Sequence, residues 1–324
     1  MTYSTTILAD SPVAYWRLGE PSGATATDEL GNSNGTYSGA SYGQTGALTG
    51  DSNTAIGFSD TYVSVADVVG ARIGDVFSVE CWFKRTATQG TAQNIIDRGS
   101  TGGDSVSIFF DTANNLRAAS SASSTAWANT SAITDTASWH HLVVTKDGTA
   151  RKIWLDGADA TNLGTNRTLG TSTSTYRIGH TVSSGDPLSA TLDEVAIYNV
   201  ALTSGQVAAH YAAATVVTPV WTTPADTVSM STTPDLKFTS PGSASKQHFY
   251  MELDTVNTFN SGALRTYRSD QDQTNWTYYD GSAWQAMPSD GLPIAKSGNE
   301  VDYTITSTLS ATTWYRRVRA GTLV

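Results

Sequence analysis

From Ala55 onward the apolar positions recur every second residue rather than every 3.6, most clearly in Phe77-Ser-Val-Glu-Cys-Trp-Phe-Lys84. There Phe77, Val79, Cys81 and Phe83 share one face of a predicted strand, and that face is expected in a core. Trp82 points the other way and is expected to cover the second face of the sheet. Further runs of strand length follow at 94–98, 106–111, 116–120, 140–146, 152–155, 176–179 and 192–199. Asp147-Gly148 and Asp156-Gly157 bracket the 152–155 run, and Asp-Gly is a strong turn signal because glycine takes a positive φ at no steric cost. Many short strands with frequent turns predict a sandwich or a barrel. One helix is predicted near 204–214: Thr203 or Ser204 can cap it, and Val207 and Tyr211 lie four apart on one face.

After that helix, Thr215-Val-Val-Thr-Pro-Val-Trp-Thr-Thr-Pro224 has two prolines, β-branched residues and no helical period, which fits an extended linker or a new first strand. Two modules are therefore expected, residues 1–215 and 216–324. The second alternates again at 235–238, 248–253, 301–305 and 314–319, and its length suits a small seven-stranded sandwich. Only Ala-Gly-Thr-Leu-Val follows Arg319, so its closing strand is expected to be missing, through truncation or because a partner supplies it.

Composition narrows the function classes. Charged residues are 15% of the 324 and aromatics 10%, a folded rather than a disordered balance. The net charge of −10 provides no basic field for a phosphate backbone, so nucleic-acid binding is not expected. Cys81 is the single cysteine, which excludes an intrachain disulfide and Cys-rich zinc sites. It is read as a buried small hydrophobe. No apolar run approaches membrane-spanning length and the start lacks a leader pattern, so neither membrane insertion nor export by a signal peptide is expected.

An ordered set of motifs then carries a resemblance. Ala14-Tyr-Trp-Arg-Leu-Gly-Glu20, the glycines and Asp28 up to Gly46, Gly57-Phe-Ser-Asp60, Phe77 to Phe83, Trp139-His-His-Leu-Val-Val-Thr145, Trp154-Leu-Asp-Gly157, Ile178-Gly179, Leu192-Asp-Glu-Val-Ala-Ile-Tyr-Asn199 and His210-Tyr211 follow in sequence. Over residues 10–213 the chain resembles the laminin-G-like branch of the concanavalin A-like lectin/glucanase jelly rolls. The second module is similar to fibronectin type III-like domains through Pro234 to Phe238, Trp276 to Trp284 and Trp314 to Ala320. The expected fold is all-β: a jelly-roll sandwich closed by one short helix, followed by a fibronectin III-like sandwich. The second resemblance implies architecture more than chemistry.

The glucanases of this fold present paired carboxylates as Glu-x-Asp-x-x-Glu, and no such run occurs here. Asp193 and Glu194 are adjacent, and strand alternation would aim them at opposite faces. No Gly-x-Ser-x-Gly elbow accompanies the five histidines, and His140 and His141 are expected to serve packing and turn hydrogen bonds. No enzymatic activity is expected. The resemblance implies a possible structural Ca²⁺, with Glu20, Asp28 and Asp193 as its carboxylates. For carbohydrate, Trp127 in a Ser/Ala-rich stretch is the expected stacking aromatic, with Asn129 and Asp104 supplying hydrogen bonds.

Extracellular-type modules without leader, disulfide or catalytic constellation fit a virion best. The expected function is a bacteriophage surface structural protein, in a tail fibre, tail tip or capsid decoration. Its jelly roll would contact host-surface glycans, and other virion proteins and further copies of itself, as a homo-oligomer, would be its partners. The alternatives are a secreted bacterial adhesin or carbohydrate-binding module at the cell surface and, behind it, a glucanase-type hydrolase.

Overall fold

The computed structural model divides into two compact units, Met1–Ala214 and Thr215–Val324. In the first it describes residues 3–214 apart from 49–50, 67–73, 100–104, 121–125, 170–174 and 183–184. In the second it describes 220–223, 235–239, 248–254, 265–269, 273–279, 283–287, 300–304 and 315–321. Both units are all-β, and the described residues contain only two helices, α1 (Tyr3–Ala9) and α2 (Ser204–Ala214).

The first unit is a sandwich of two antiparallel sheets. Strand Val76–Arg85 is central to one of them, between His140–Asp147 and Ser189–Tyr198, with Thr54–Ser59 and Ser41–Thr45 following on the latter side. The opposite sheet runs from Asn162–Leu163 through Ala126–Ala132, Asn115–Ala119, Val106–Phe110 and Gln93–Arg98 to Thr25–Ala26. Phe77, Val79, Cys81 and Phe83 face Val106, Ile108 and Phe110 across one buried core, as the period of two predicts. Each such side chain contributes roughly 1.5–3 kcal/mol by leaving water. Burial pushes the Cys81 thiol far above its ordinary range, which suits its packing role. Gly148 and Gly157 take positive φ of 56° and 77° at the two ends of Ala150–Leu155, where the Asp-Gly pairs placed the turns.

α2 begins with a reciprocal cap. Thr203 Oγ1 accepts from the Gln206 amide, and Gln206 Oε1 accepts from the Thr203 amide. α1 has no such signature: Tyr-Ser-Thr-Thr-Ile-Leu-Ala is two turns long and rich in β-branched residues, so packing rather than propensity holds it. Tyr3 and Ile7 of α1 and Val207 and Ala214 of α2 cover the outer face of the Val76–Arg85 sheet, together with Trp82, Tyr15 and Tyr198. Trp82 lies parallel to Tyr211 of α2 at 5.8 Å.

Beneath the helices, strand alternation turns Glu80 away from the core and into this second layer, where it is fully buried. Its carboxylate accepts hydrogen bonds from Tyr3 Oη (2.9 Å), Tyr198 Oη (2.9 Å), His141 Nε2 (2.7 Å) and His210 Nδ1 (2.9 Å). His210 also reaches Asp10 Oδ2 through Nε2 at 2.8 Å, so both ring nitrogens meet carboxylates and the imidazolium donates from each. Burial alone would raise the Glu80 pKa, but the hydrogen bonds and charges of His141 and His210 drive it below the carboxylate range. Burial would lower that of His210, and Glu80 and Asp10 outweigh this and raise it.

The second unit has its own core of Leu236, Phe238, Phe249, Met251, Leu253, Trp276, Met287, Val301 and Tyr303. It is shared by a sheet ordered Val220–Thr223, Asp235–Thr239, Glu300–Thr304, Trp276–Tyr279, Trp284–Ala286 and a second ordered Arg265–Arg268, His248–Asp254, Tyr315–Gly321. Trp314 and any strand beyond Gly321 lie outside the described residues.

Removing the carboxylate strands two histidines and two phenols, so Glu80→Ala is expected to cost roughly 3–5 kcal/mol in urea unfolding of the first unit. A loss below 1 kcal/mol would contradict the central role of this residue. The raised His210 pKa stabilises fully below its ordinary 6.5, and that contribution is lost as pH rises through the folded value. The melting temperature should therefore fall as pH rises above 6.5, and His210→Gln should flatten that fall.

Candidate functional site

Beside the helices, the outer face of the Val76–Arg85 sheet opens into a groove of about 660 Å³. Lys84 and Thr191 lie directly opposite each other on adjacent strands and face it. Gln44, Thr45, Gly46, Ala47 and Leu48 also line it, with Thr86 and the half-buried indole of Trp139. Trp139, Ala47 and Leu48 belong to the apolar layer beneath the helices, so the groove joins an apolar end to polar side chains. An aromatic beside converging hydroxyl, amide and ammonium groups is an arrangement that holds a sugar: the ring takes an apolar face and the polar groups orient hydroxyls.

The 44–48 segment is held by a buried acid pair. Asp193 Oδ2 accepts from the Ala47 amide at 2.8 Å, and Asn53 Nδ2 donates to Asp193 Oδ1 at 3.3 Å and Glu194 Oε1 at 3.4 Å. Arg17 donates to Glu194 Oε1 at 2.7 Å and to Asp51 Oδ2 at 2.8 Å, and Tyr15 Oη donates to Glu194. Burial, and for Asp193 the neighbouring Glu194 charge, push both carboxyl groups upward. A Cβ at Gly46 would sit 2.6 Å from the Asn53 carbonyl oxygen and 3.1 Å from Asp193 Oδ2, so only glycine permits this close approach.

This pair corrects an expectation. Alternation would aim Asp193 and Glu194 at opposite faces, but a bulge between Asp193 and Ala196, with Glu194 at φ 53°, brings both carboxylates to Asn53. The same bulge lets Leu192 and Ile197, five residues apart, both face the core.

The expected sugar-stacking residue is corrected too. Trp127 is fully buried in the core, its ring edge on Phe77 at 6.1 Å, and cannot meet a sugar. The reason is again a bulge: Ala118 pairs with Ala128 and Ala119 with Ala126, so Trp127 is the extra residue and turns inward. Asn129 is half-buried on that opposite sheet, across from Arg117 and Asn162, and is not part of the groove. Asp104 lies outside the described residues. Trp139 lines the groove instead; it lies just before the His140–Asp147 strand, so strand alternation alone assigns it no face.

Glu20, Asp28 and Asp193 each bind separate groups. Asp28 accepts from the amides of Tyr15, Leu30, Asn32 and Ser33, which closes the 28–33 loop. Glu20 accepts from the Thr27 amide and Tyr37 Oη, and Asp193 holds Ala47. Each carboxylate serves its own donors, and among the described residues no three His, Cys, Asp or Glu side chains converge as a metal site.

Comparison with known proteins agrees with this architecture. Residues 57–208 match the family model Laminin_G_3, described as the concanavalin A-like lectin/glucanases superfamily. No curated protein matches the chain. Among solved structures, Trypanosoma rangeli sialidase with 2,3-difluorosialic acid is similar at 14% identity and TM-score 0.49, over 62% of this chain and 32% of the sialidase. This chain therefore spans about a third of that enzyme. Domain 4 of AbnA, an extracellular arabinanase from Geobacillus stearothermophilus bound to arabinotriose, aligns at 20% identity and TM-score 0.47, over 62% of this chain and 98% of the domain. The receptor binding domain of botulinum neurotoxin D aligns at 12% identity and TM-score 0.46, over 65% and 55%. Residues 57–208 thus carry a jelly-roll domain of the concanavalin A-like lectin/glucanase superfamily.

Proposed function

We propose that this chain is a non-enzymatic glycan-binding adhesion protein and that the groove beside Trp139 is where it takes its sugar. The observation that carries this reading is the pairing of a half-buried indole with Gln44, Lys84, Thr86 and Thr191 in one open groove of a lectin-type jelly roll. A non-catalytic role is supported by the acid pair: Asp193 and Glu194 are both fully buried and hold neighbouring groups rather than facing the groove. Retaining and inverting hydrolases alike need two carboxyl groups open to the scissile bond.

The wider assignment is a bacteriophage surface protein, in tail fibre, tail tip or capsid decoration, in which the second module presents the first. It draws on the combination of a lectin-type sandwich with a fibronectin III-like module and on the absence of any disulfide, since a single cysteine cannot form one within the chain. Mass spectrometry of purified particles should find the polypeptide in the virion. Its absence there would leave a secreted bacterial adhesin or carbohydrate-binding module as the setting.

Glycan-array screening of the full chain, followed by calorimetry on a hit, tests the groove. Trp139→Ala is expected to weaken binding at least tenfold, equivalent to about 1.4 kcal/mol. Because Trp139 also packs against the helix-covered layer, Gln44→Ala serves as a second probe with no place in that layer. Undiminished binding by both folded variants would place the site elsewhere.

A further inference from the structure

Among the described residues Lys84 is the one ammonium group lining the groove, and no carboxylate lines it. Among the described residues Lys84 forms neither an ion pair nor a side-chain hydrogen bond, whereas Lys146, Lys152 and Lys237 each face an aspartate. In a chain of net charge −10 this is a local reversal of sign. Asp193, which accepts from the Ala47 amide of the groove wall, is fully buried and spends its oxygens on Ala47 and Asn53. It does not answer the ammonium charge from the groove surface. Thr191, directly across from Lys84, and Thr86 add hydroxyl donors on the same side.

We infer that the groove selects acidic sugars, with a ring carboxylate on Lys84 and the apolar face of the same or the adjoining ring against Trp139. This rests on the glycan reading above and adds the class of sugar. A carboxylate suits a single ammonium group flanked by hydroxyls, because one charge-assisted hydrogen bond satisfies the lysine while threonine hydroxyls take the second oxygen. A neutral sugar would offer the ammonium group of half-buried Lys84 only hydroxyl partners.

The test compares oligogalacturonate with a neutral galacto-oligosaccharide of equal length on the full chain, by calorimetry at low and at high salt. The acidic oligomer is expected to bind at least tenfold tighter at low salt and to lose most of that advantage at high salt. Lys84→Gln should remove the preference, lowering affinity for the acidic oligomer at least tenfold more than for the neutral one, and Lys84→Arg should keep it. Among the described residues Lys84 has no ion-pair or hydrogen-bond partner to lose, so unchanged melting temperatures are expected for both variants. Equal binding of the two sugars, with no effect of Lys84→Gln, would overturn acidic selectivity while leaving the groove as a neutral-glycan site. Binding of neither sugar, with Trp139→Ala also silent on the glycan array, would remove both readings together.

Discussion

The arrangement of the first unit depends on how one buried carboxylate is satisfied. Glu80 sits at the centre of its sheet on the face away from the core, where an uncompensated charge would cost several kcal/mol. Its partners come from four separate pieces of chain: Tyr3 from α1, His141 and Tyr198 from the two flanking strands, and His210 from α2. The carboxylate therefore fixes where both helices lie, and Asp10 closes the arrangement by binding the far nitrogen of His210. The helix-covered layer decides which part of the outer face is covered and which part stays open.

The groove is what remains open. Its apolar end is the margin of the helix-covered layer, where Trp139, Ala47 and Leu48 meet it, and its polar end continues along the sheet through Lys84 and Thr191. The Asp193 and Glu194 pair sits at the boundary and anchors the 44–48 segment from behind. Two buried polar clusters thus do different work. The Glu80 cluster positions the helices, and the Asp193 cluster positions the segment against which a ligand would rest.

Where strands deviate from regular pairing, function and expectation part company. The extra residue at 193–196 turns two carboxylates to one side, and the extra residue at Trp127 turns a large aromatic into the core. A bulge reverses inside and outside for everything beyond it, so a single unpaired residue exchanges the roles that alternation assigns. Trp127 and Trp139 illustrate this: the tryptophan in a polar, small-residue stretch is buried, and the one inside a family motif lines the groove.

The sequence by itself determined the all-β class, the Phe77 to Phe83 core face, the outward placement of Trp82, the Asp-Gly turns and the capped helix at 204–214. Each follows from interactions within a few residues, such as alternation, positive φ and a side chain capping its own helix. The tertiary structure alone decided α1, the bulges, the partners of Glu80 and the groove. Tyr3 meets Glu80 across 77 residues and His210 meets it across 130, and no local rule links positions so far apart. Whether a polar side chain faces water, a ligand or a buried partner is settled by which strands become neighbours, and that choice is made by packing over the whole sandwich.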